Sequence, residues 1–404
     1  MTSLDQPTRQ SALGYAKRLA EIKELFVDRN DVIDLLGIGA LCHEHVLVIG
    51  PPGTAKTRLL NRFCQMLDTA PFTYLLTRFT EPAEIFGPID VKLFQEDGIY
   101  EVKTAGMLPE ARIVFLDEVF QGSSAILNTL LTLINERTFH NGSKSVMTPL
   151  ITMVGSANDV PDDPVLAAFS DRFLLRCTLD YVSDDRLEYV LDLGWAAEQG
   201  LIEAIGQVGG ARAARMPAAH ERTLVPVSPA ELYTLQQTLA RIDLSQVRVP
   251  YLRIVQALRA EGIAFSDRRA VKAQKVIAAS ALLGGRGEAN LTDLARLVHL
   301  WTDPRDEPSV RRIVTDHGIP VDVAGGRIRE IHEIVVIDLR EVVALRRQVS
   351  TEQEFKDLMR RTQRLAAELR RDHPGERDAL DQVQREHRET IMLYRERFPG
   401  KGLE

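Results

Sequence analysis

Between residues 45 and 179, short apolar runs alternate with longer amphipathic segments, and that alternation predicts an α/β core. The runs His45–Ile49, Phe72–Thr77, Ile113–Leu116, Leu150–Ser156 and Phe173–Leu179 each read as a strand. Helical segments at about 56–68 and 123–136 fall between them. Strands joined through helices pair in parallel, so a five-stranded, mostly parallel, covered sheet is expected. Ahead of it, Leu19, Ile22, Leu25 and Phe26, then Val32, Leu35 and Leu36, recur at helical spacing over about 11–44. Asp97-Gly98 signals a turn and predicts a β-hairpin within 91–104.

Past residue 182 the strand signals fade. Glycines and alanines over about 194–222 make a loose connector, and Ser228-Pro229-Ala230-Glu231 then opens a helix. Ser228 is the expected N-cap, Pro229 the first helical residue and Glu231 the partner in a capping box. Further helices at about 250–260, 267–283 and 292–301 predict a small all-helical domain. Near the end, Phe355, Leu358, Thr362, Leu365 and Leu369 step by 3 and 4, a heptad seam. Leu380, Val383, His387, Thr390 and Tyr394 repeat those steps after a break at His373-Pro374-Gly375. An antiparallel helical hairpin or an ordinary bundle fits. The expected divisions are therefore 1–182, 183–304 and 305–404.

A chain of 404 residues suggests two or three domains. Its net charge of −7 argues against a dedicated nucleic-acid binder, though not against a local basic channel. The three cysteines, Cys42, Cys64 and Cys177, lack metal or CxxC spacing and read as reduced thiols. Residues 1–28 are charged throughout, unlike a signal peptide, and no apolar run nears the roughly 18 residues of a membrane span. A soluble, cytoplasmic protein is expected.

The chemistry concentrates at the ends of the expected strands. Gly50-Pro51-Pro52-Gly53-Thr54-Ala55-Lys56-Thr57 lies between a strand and a helix, where loop amides and a helix N-terminus can surround phosphates. Lys56 would reach the β- and γ-phosphates of ATP, and the Thr57 hydroxyl would ligate Mg²⁺. Ala55 stands where the strict pattern has glycine, which is tolerable if its φ is negative. In Ile113-Val114-Phe115-Leu116-Asp117-Glu118, four apolar residues deliver two carboxylates to a strand end. Asp117 would hold the metal, and Glu118 would deprotonate the attacking water.

Asn158 is placed to polarise that same water, or else forms a turn before Asp159-Val160-Pro161. Arg172 either stabilises transition-state charge on a neighbouring subunit's ATP or pairs with Asp171. Arg137 is a second candidate to act in trans, or a helix-end cation. Arg268, with Arg269 as its rival, could reach the γ-phosphate from a lid helix. No Asn-Lys-x-Asp motif occurs, which disfavours a GTPase.

These motifs, with Thr77-Arg78-Phe79, Glu84-Ile85-Phe86-Gly87-Pro88, the Leu127–Leu131 run, Ile134–Arg137 and Asp171-Arg172-Phe173, resemble the MoxR family of AAA+ ATPases. The Phe86–Pro88 segment, the Ile126–Leu131 run and Ser266–Arg269 most resemble its RavA branch. An alanine at position 55 is usual in that family. The resemblance implies an AAA+ P-loop core with an all-helical lid domain and a helical C-terminal extension. It further implies a hexameric homo-oligomer with ATP between subunits, a protein client, and a partner carrying a von Willebrand factor A domain. Residues 84–106 would project into the pore of such a ring. The resemblance assigns roles to Gly50, Gly53, Lys56, Thr57, Asp117, Glu118, Asn158, Arg172 and Arg268. A nucleic-acid translocase of MCM or McrB type is one alternative, but the 91–110 segment carries only Lys92 and Lys103 against Glu96, Asp97, Glu101 and Glu110. An assembly switch like the magnesium-chelatase subunits is another.

Overall fold

The computed structural model describes residues 4–161, 163–183, most of 186–199, 225–321, much of 354–366, and 377–398. Most of the 194–222 connector, Leu365, Leu369 and the break at 373–375 lie outside the described residues. Two units are present, Met1–Gly326 and Arg327–Glu404.

Among the described residues, the first unit has seven strands: β1 Val46–Ile49, β2 Phe72–Leu75, β3 Ile113–Asp117, β4 Thr138–Asn141, β5 Lys144–Met147, β6 Thr152–Ala157 and β7 Leu175–Thr178. Five form one sheet in the order β2-β3-β6-β1-β7, with every pairing parallel. The three central strands are buried without alternation because both of their faces are covered. All of β1 and β6 is buried, as are the first four residues of β3.

Helices α1 Gln6–Lys23, α2 Asn30–Cys42, α3 Lys56–Met66, α4 Pro82–Phe86, α5 Val91–Asp97, α6 Ser124–Glu136 and α7 Pro164–Ser170 accompany the strands. The long helical stretch expected over 11–44 is thus two helices. In α2, residues 32–42 are all buried. A helix buried on every side needs neighbours all round, and α2 has them in α1, α3, the sheet and the helical lid.

The lid comprises α8 Pro229–Leu239, α9 Arg248–Ala260, α10 Asp267–Leu283, a 3-10 segment Leu291–His299 and α11 Glu307–Asp316. Val310, Ile313 and Val314 of α11 are buried in contact with the lid, so the first unit continues beyond the boundary expected at 304. At α8, Ser228 accepts from the Glu231 N–H as an N-cap, but the Glu231 carboxylate pairs with Arg18 at 3.2 Å. The capping box is therefore half made, because a cation from α1 takes its carboxylate.

Asp97-Gly98 ends a helix; it does not turn a hairpin. Asp90 caps α5 by accepting from the Lys92 and Leu93 amides, and Gly98 closes it at φ 67°. With both caps supplied, helix wins over 91–97. The flanking legs pair instead: Ile89 bridges Val102, Asp90 N–H donates to Glu101 O at 2.8 Å, and Lys103 N–H to Pro88 O at 2.8 Å. The hairpin of this region is β4–β5, turned through Gly142 and Ser143.

The second unit contains α12 Arg377–Arg397. Phe355 lies 6.2 Å from the Tyr394 ring and 6.0 Å from that of Phe398, while Thr362 Oγ1 is 2.6 Å from His387 Nδ1. Earlier residues thus meet later ones in antiparallel sense along the expected seam.

Candidate active site

The 50–57 loop, the candidate phosphate loop, leaves the end of β1 and enters α3. Its first residue is wedged between two strands: Gly50 N–H donates to Ala157 O at 3.0 Å, and a Cβ on Gly50 would stand 2.1 Å from the Leu179 carbonyl oxygen. Only glycine fits. The outer surface is open, with Pro52, Gly53, Ala55 and Thr57 exposed. Lys56 Nζ donates to Gly50 O at 2.9 Å, folding its ammonium over the loop. Thr54 Oγ1 donates to Pro51 O at 3.1 Å.

Ala55 caps α3 at φ 64°, ψ 22°. The expected negative φ is not what the chain adopts, because the loop turns into the helix over this one residue. An L-residue held there costs roughly 1–2 kcal/mol, and such strain persists only where the surroundings enforce it. Arg29, buried behind the loop, is part of that enforcement. It donates from Nε to Thr54 O at 3.2 Å and from Nη2 to Asp180 O at 3.0 Å, tying the loop to the end of β7. Burial lowers the Arg29 guanidinium from its ordinary value, against the pull of Asp180 and Cys177.

One strand separates this loop from the carboxylates. Ile49 of β1 is level with Ala157 of β6, and Leu116 of β3 with Gly155. Two interstrand spacings amount to roughly 10 Å, which leaves room for a triphosphate across the β6 end. Asp117 Oδ1 accepts from the Glu118 N–H at 3.1 Å and from Ser156 Oγ. Glu118 has φ 51°, ψ 48°, a second strained non-glycine residue. Asn158 Nδ2 donates to Glu118 Oε1 at 2.7 Å. Lys56, Thr57, Asp117, Glu118 and Asn158 therefore all gather at the strand-end edge.

The available metal donors there are the hydroxyls of Thr57 and Ser156 and the carboxylates of Asp117 and Glu118. Hard oxygen donors beside a phosphate loop suit Mg²⁺ bound together with a nucleotide. Ser156 was not foreseen, although its position two residues before Asn158, on the same side of an extended chain, is a usable signal. Nothing in the local sequence marks Arg29.

The arginines lie elsewhere. Leu175 is level with Val46, so the Asp171-Arg172 turn sits at the edge where strands begin. Arg172 Nη1 is 3.4 Å from Asp171 Oδ2, and its buried Nε has no hydrogen-bond partner. Arg137 donates to the carbonyls of Leu150, at 2.9 Å, and His43, which fastens it to that same edge. Arg269 is buried and donates to Leu174 O and Leu300 O, both at 3.0 Å, and to Asp171 Oδ1 at 2.9 Å. That set of bonds makes it a clamp between core and lid. Arg268 is exposed and donates to Asn135 Oδ1 at 2.6 Å, near the end of α6. Lys272 and Lys275 of the same helix α10 pair with buried Glu44, just before β1, at 2.6 and 2.5 Å. The start of α10 thus packs on the edge opposite the phosphate loop. A strand of four residues spans roughly 13 Å, so Arg268 lies across the sheet from the 50–57 loop of its own chain.

Comparison with known proteins agrees with this architecture. Residues 15–214 match the model of the MoxR domain in the MoxR-vWA-beta-propeller ternary systems, and residues 248–314 match an AAA lid domain. An uncharacterized protein of Methanocaldococcus jannaschii is 33% identical over 288 residues, covering 71% of each chain. The chaperone MoxR1 of Mycobacterium tuberculosis is 24% identical over 183 residues, 44% of this chain and 48% of that one. A crystal structure of a candidate ATPase from Cytophaga hutchinsonii superposes with a TM-score of 0.57 at 19% identity, covering 76% of this chain and 95% of that one. At that identity the likeness is one of fold. On the matched domains and the relative aligned over most of its length, the chain belongs to the MoxR family of AAA+ ATPases.

Proposed function

We propose that the chain binds ATP at residues 50–57 and hydrolyses it at the interfaces of a homo-oligomeric ring. The observation that carries this reading is a division of labour between two edges. The loop, Asp117, Glu118 and Asn158 share the strand-end edge, while Arg172, Arg137 and Arg268 all lie on the strand-start side. A site that holds its general base and Lys56, while the three arginines proposed for transition-state charge lie on the opposite edge, is one that a neighbouring copy can complete.

In this reading Lys56 and the loop amides bind the β- and γ-phosphates. Mg²⁺, held by Thr57 and Asp117, supplies neutralising charge when bound. Glu118 accepts the proton of the attacking water, and Asn158 orients the Glu118 carboxylate. Arg172 and Arg268 reach the nucleotide of the adjacent subunit, while Arg137, bonded to two carbonyls, keeps its edge in shape.

The work done is remodelling of a protein client. The segment expected in the pore exposes Val91, Phe94, Ile99 and Tyr100, and its bases are met by acids, Lys103 by Asp90 at 3.5 Å and Lys92 by Glu96 at 4.0 Å. An apolar surface with an excess of acids suits a polypeptide better than a phosphate backbone. The name of the matched domain supports a partner with a von Willebrand factor A domain. A six-membered ring in the cytoplasm, and the RavA branch within the family, follow from the resemblance of the motifs.

The test is a mixing experiment. Lys56→Ala protein should lose nucleotide binding, and Arg172→Ala protein should bind ATP but turn over poorly. Combined, they should regain activity, with mass measurements showing ATP-dependent assembly. No recovery in mixed assemblies would remove the trans role of Arg172, and retained ATP affinity in Lys56→Ala would remove the site.

A further inference from the structure

The turn that carries Arg172 is fastened to the lid from both directions. From the lid, the Arg269 side chain, 2% exposed, crosses to Leu174 O and Asp171 Oδ1 while also holding Leu300 O in its own domain. From the core, fully buried Arg176 donates to Ser170 O at 2.7 Å and to Thr302 O, and its guanidinium lies 5.7 Å from the Trp301 ring centre. Two buried guanidiniums that satisfy carbonyls on both sides of a seam make that seam stiff, since any shift strands a charge without its acceptors. The α7–β7 turn, residues 171–174, therefore moves with the lid.

Asp171 is the joint within this turn. Its Oδ1 takes the short contact to Arg269, at 2.9 Å, and its Oδ2 the long one to Arg172, at 3.4 Å. Arg269 is the fixed partner and Arg172 the loose one, with 27% of its side chain exposed and Nε lacking a partner. A carboxylate anchored on one oxygen can direct a guanidinium on the other without immobilising it.

We infer that Asp171 is a positioning residue: held by Arg269 of the lid, it aims Arg172 at the neighbouring subunit's nucleotide, so that lid position in one subunit governs turnover in the next. This rests on the trans reading of Arg172 given above. A lid displaced by nucleotide exchange or by a bound client would carry Asp171 with it and take Arg172 out of line, coupling successive sites around the ring.

Steady-state kinetics on the full chain test it. Asp171→Asn should lower kcat about tenfold or more while KM for ATP and assembly stay unchanged, because Arg172 acts only in the neighbour's transition state. Mixed with Glu118→Gln subunits, which have no base but a correctly aimed arginine, it should exceed the averaged activity of the two pure proteins. Mixed with Arg172→Ala it should not, since both lack the same contribution. Arg269→Lys keeps the buried charge but loses the fork, and should show the same fall in kcat at unchanged KM; it decides the matter if Asp171→Asn fails to assemble. Wild-type kcat in either variant, alongside an inactive Arg172→Ala, overturns the inference and leaves the trans reading intact. Wild-type turnover in Arg172→Ala removes that reading itself.

Discussion

Asn158 donates from Nδ2 to Glu118 Oε1 at 2.7 Å, so the amide at the end of β6 grips the carboxylate at the end of β3. The sequence placed Asn158 near the attacking water; the structure gives it a grip on the group that would take the water's proton. Glu118 is also held at φ 51°, and a base with a strained backbone and one side-chain bond depends on both for its aim. Asn158→Ala should therefore lower kcat on the order of tenfold to a hundredfold, less than the ~10²–10⁴ of losing a positioned base. ATP affinity in a fluorescent-nucleotide titration should be retained. Unchanged turnover would mean that Glu118 is aimed without Asn158.

Glu118→Gln preserves an oxygen acceptor for Asn158 but cannot take a proton. It should keep ATP bound and the assembly intact while turnover falls ~10²–10⁴-fold. Single-turnover hydrolysis at the wild-type rate would place the base elsewhere.

Ala55 at φ 64° makes a stability prediction independent of catalysis. Glycine relieves roughly 1–2 kcal/mol of left-handed strain but adds ~0.5–1 kcal/mol of freedom to the unfolded chain. Ala55→Gly should thus leave the unfolding temperature equal or raise it by up to a few degrees. Ala55→Val, whose branched Cβ suits this region least, should lower it. A clear loss of stability in the glycine variant would show that the loop relaxes to another φ in solution.

What could be read from the chain follows the range of the interactions. The five strands and the placement of the 50–57 loop and the Asp117-Glu118 pair at their ends were legible because each is a local signal, an apolar run that ends in polar residues. Asp97-Gly98 misled because the same dipeptide serves a hairpin turn and a helix C-cap, and Asp90 seven residues earlier decided between them. Asn141-Gly142-Ser143 held the hairpin signal instead. The glutamate of the expected capping box was diverted by Arg18, 213 positions away. No local pattern could show that α10 packs on the strand-start edge, since this depends on Glu44 meeting Lys272 and Lys275 across more than two hundred residues.

Glu44 is the charge on which that packing leans. It is 1% exposed and accepts from both lysines, whose side chains are 25% and 46% exposed. Glu44→Gln leaves two cations facing one neutral amide. Breaking a fully buried pair costs ~3–5 kcal/mol, but these lysines can turn to water, so about 1–3 kcal/mol is expected. The loss should appear as a lower denaturant midpoint. A midpoint within error of wild type would mean that apolar contacts of α2 and α10 hold the lid unaided.

Asp31, in the first turn of α2, predicts a pH dependence. Burial and the nearby Asp34 push its carboxyl up to about 7, against the pull of Arg296, Arg311 and Lys23. Below ~3.9, the ordinary aspartate value, both folded and unfolded chains hold this proton. As pH rises from there towards 7, the unfolded chain releases it while the folded one retains it, so this residue's contribution to stability falls and is lost by about pH 7. Asp34 acts with the opposite sign: burial would raise it, but Lys23 and Arg296 hold it below its ordinary value. Its contribution is present above ~3.9 and is lost as pH falls below that, in a separate window. Asp31→Asn removes only the first slope. Its stability relative to wild type should increase from pH 4.5 to 7 and level off by pH 8, as read from paired denaturant midpoints. A difference that stays flat across this range, or a variant weaker than wild type at pH 8, would mean that Asp31 is ionised in the folded chain throughout.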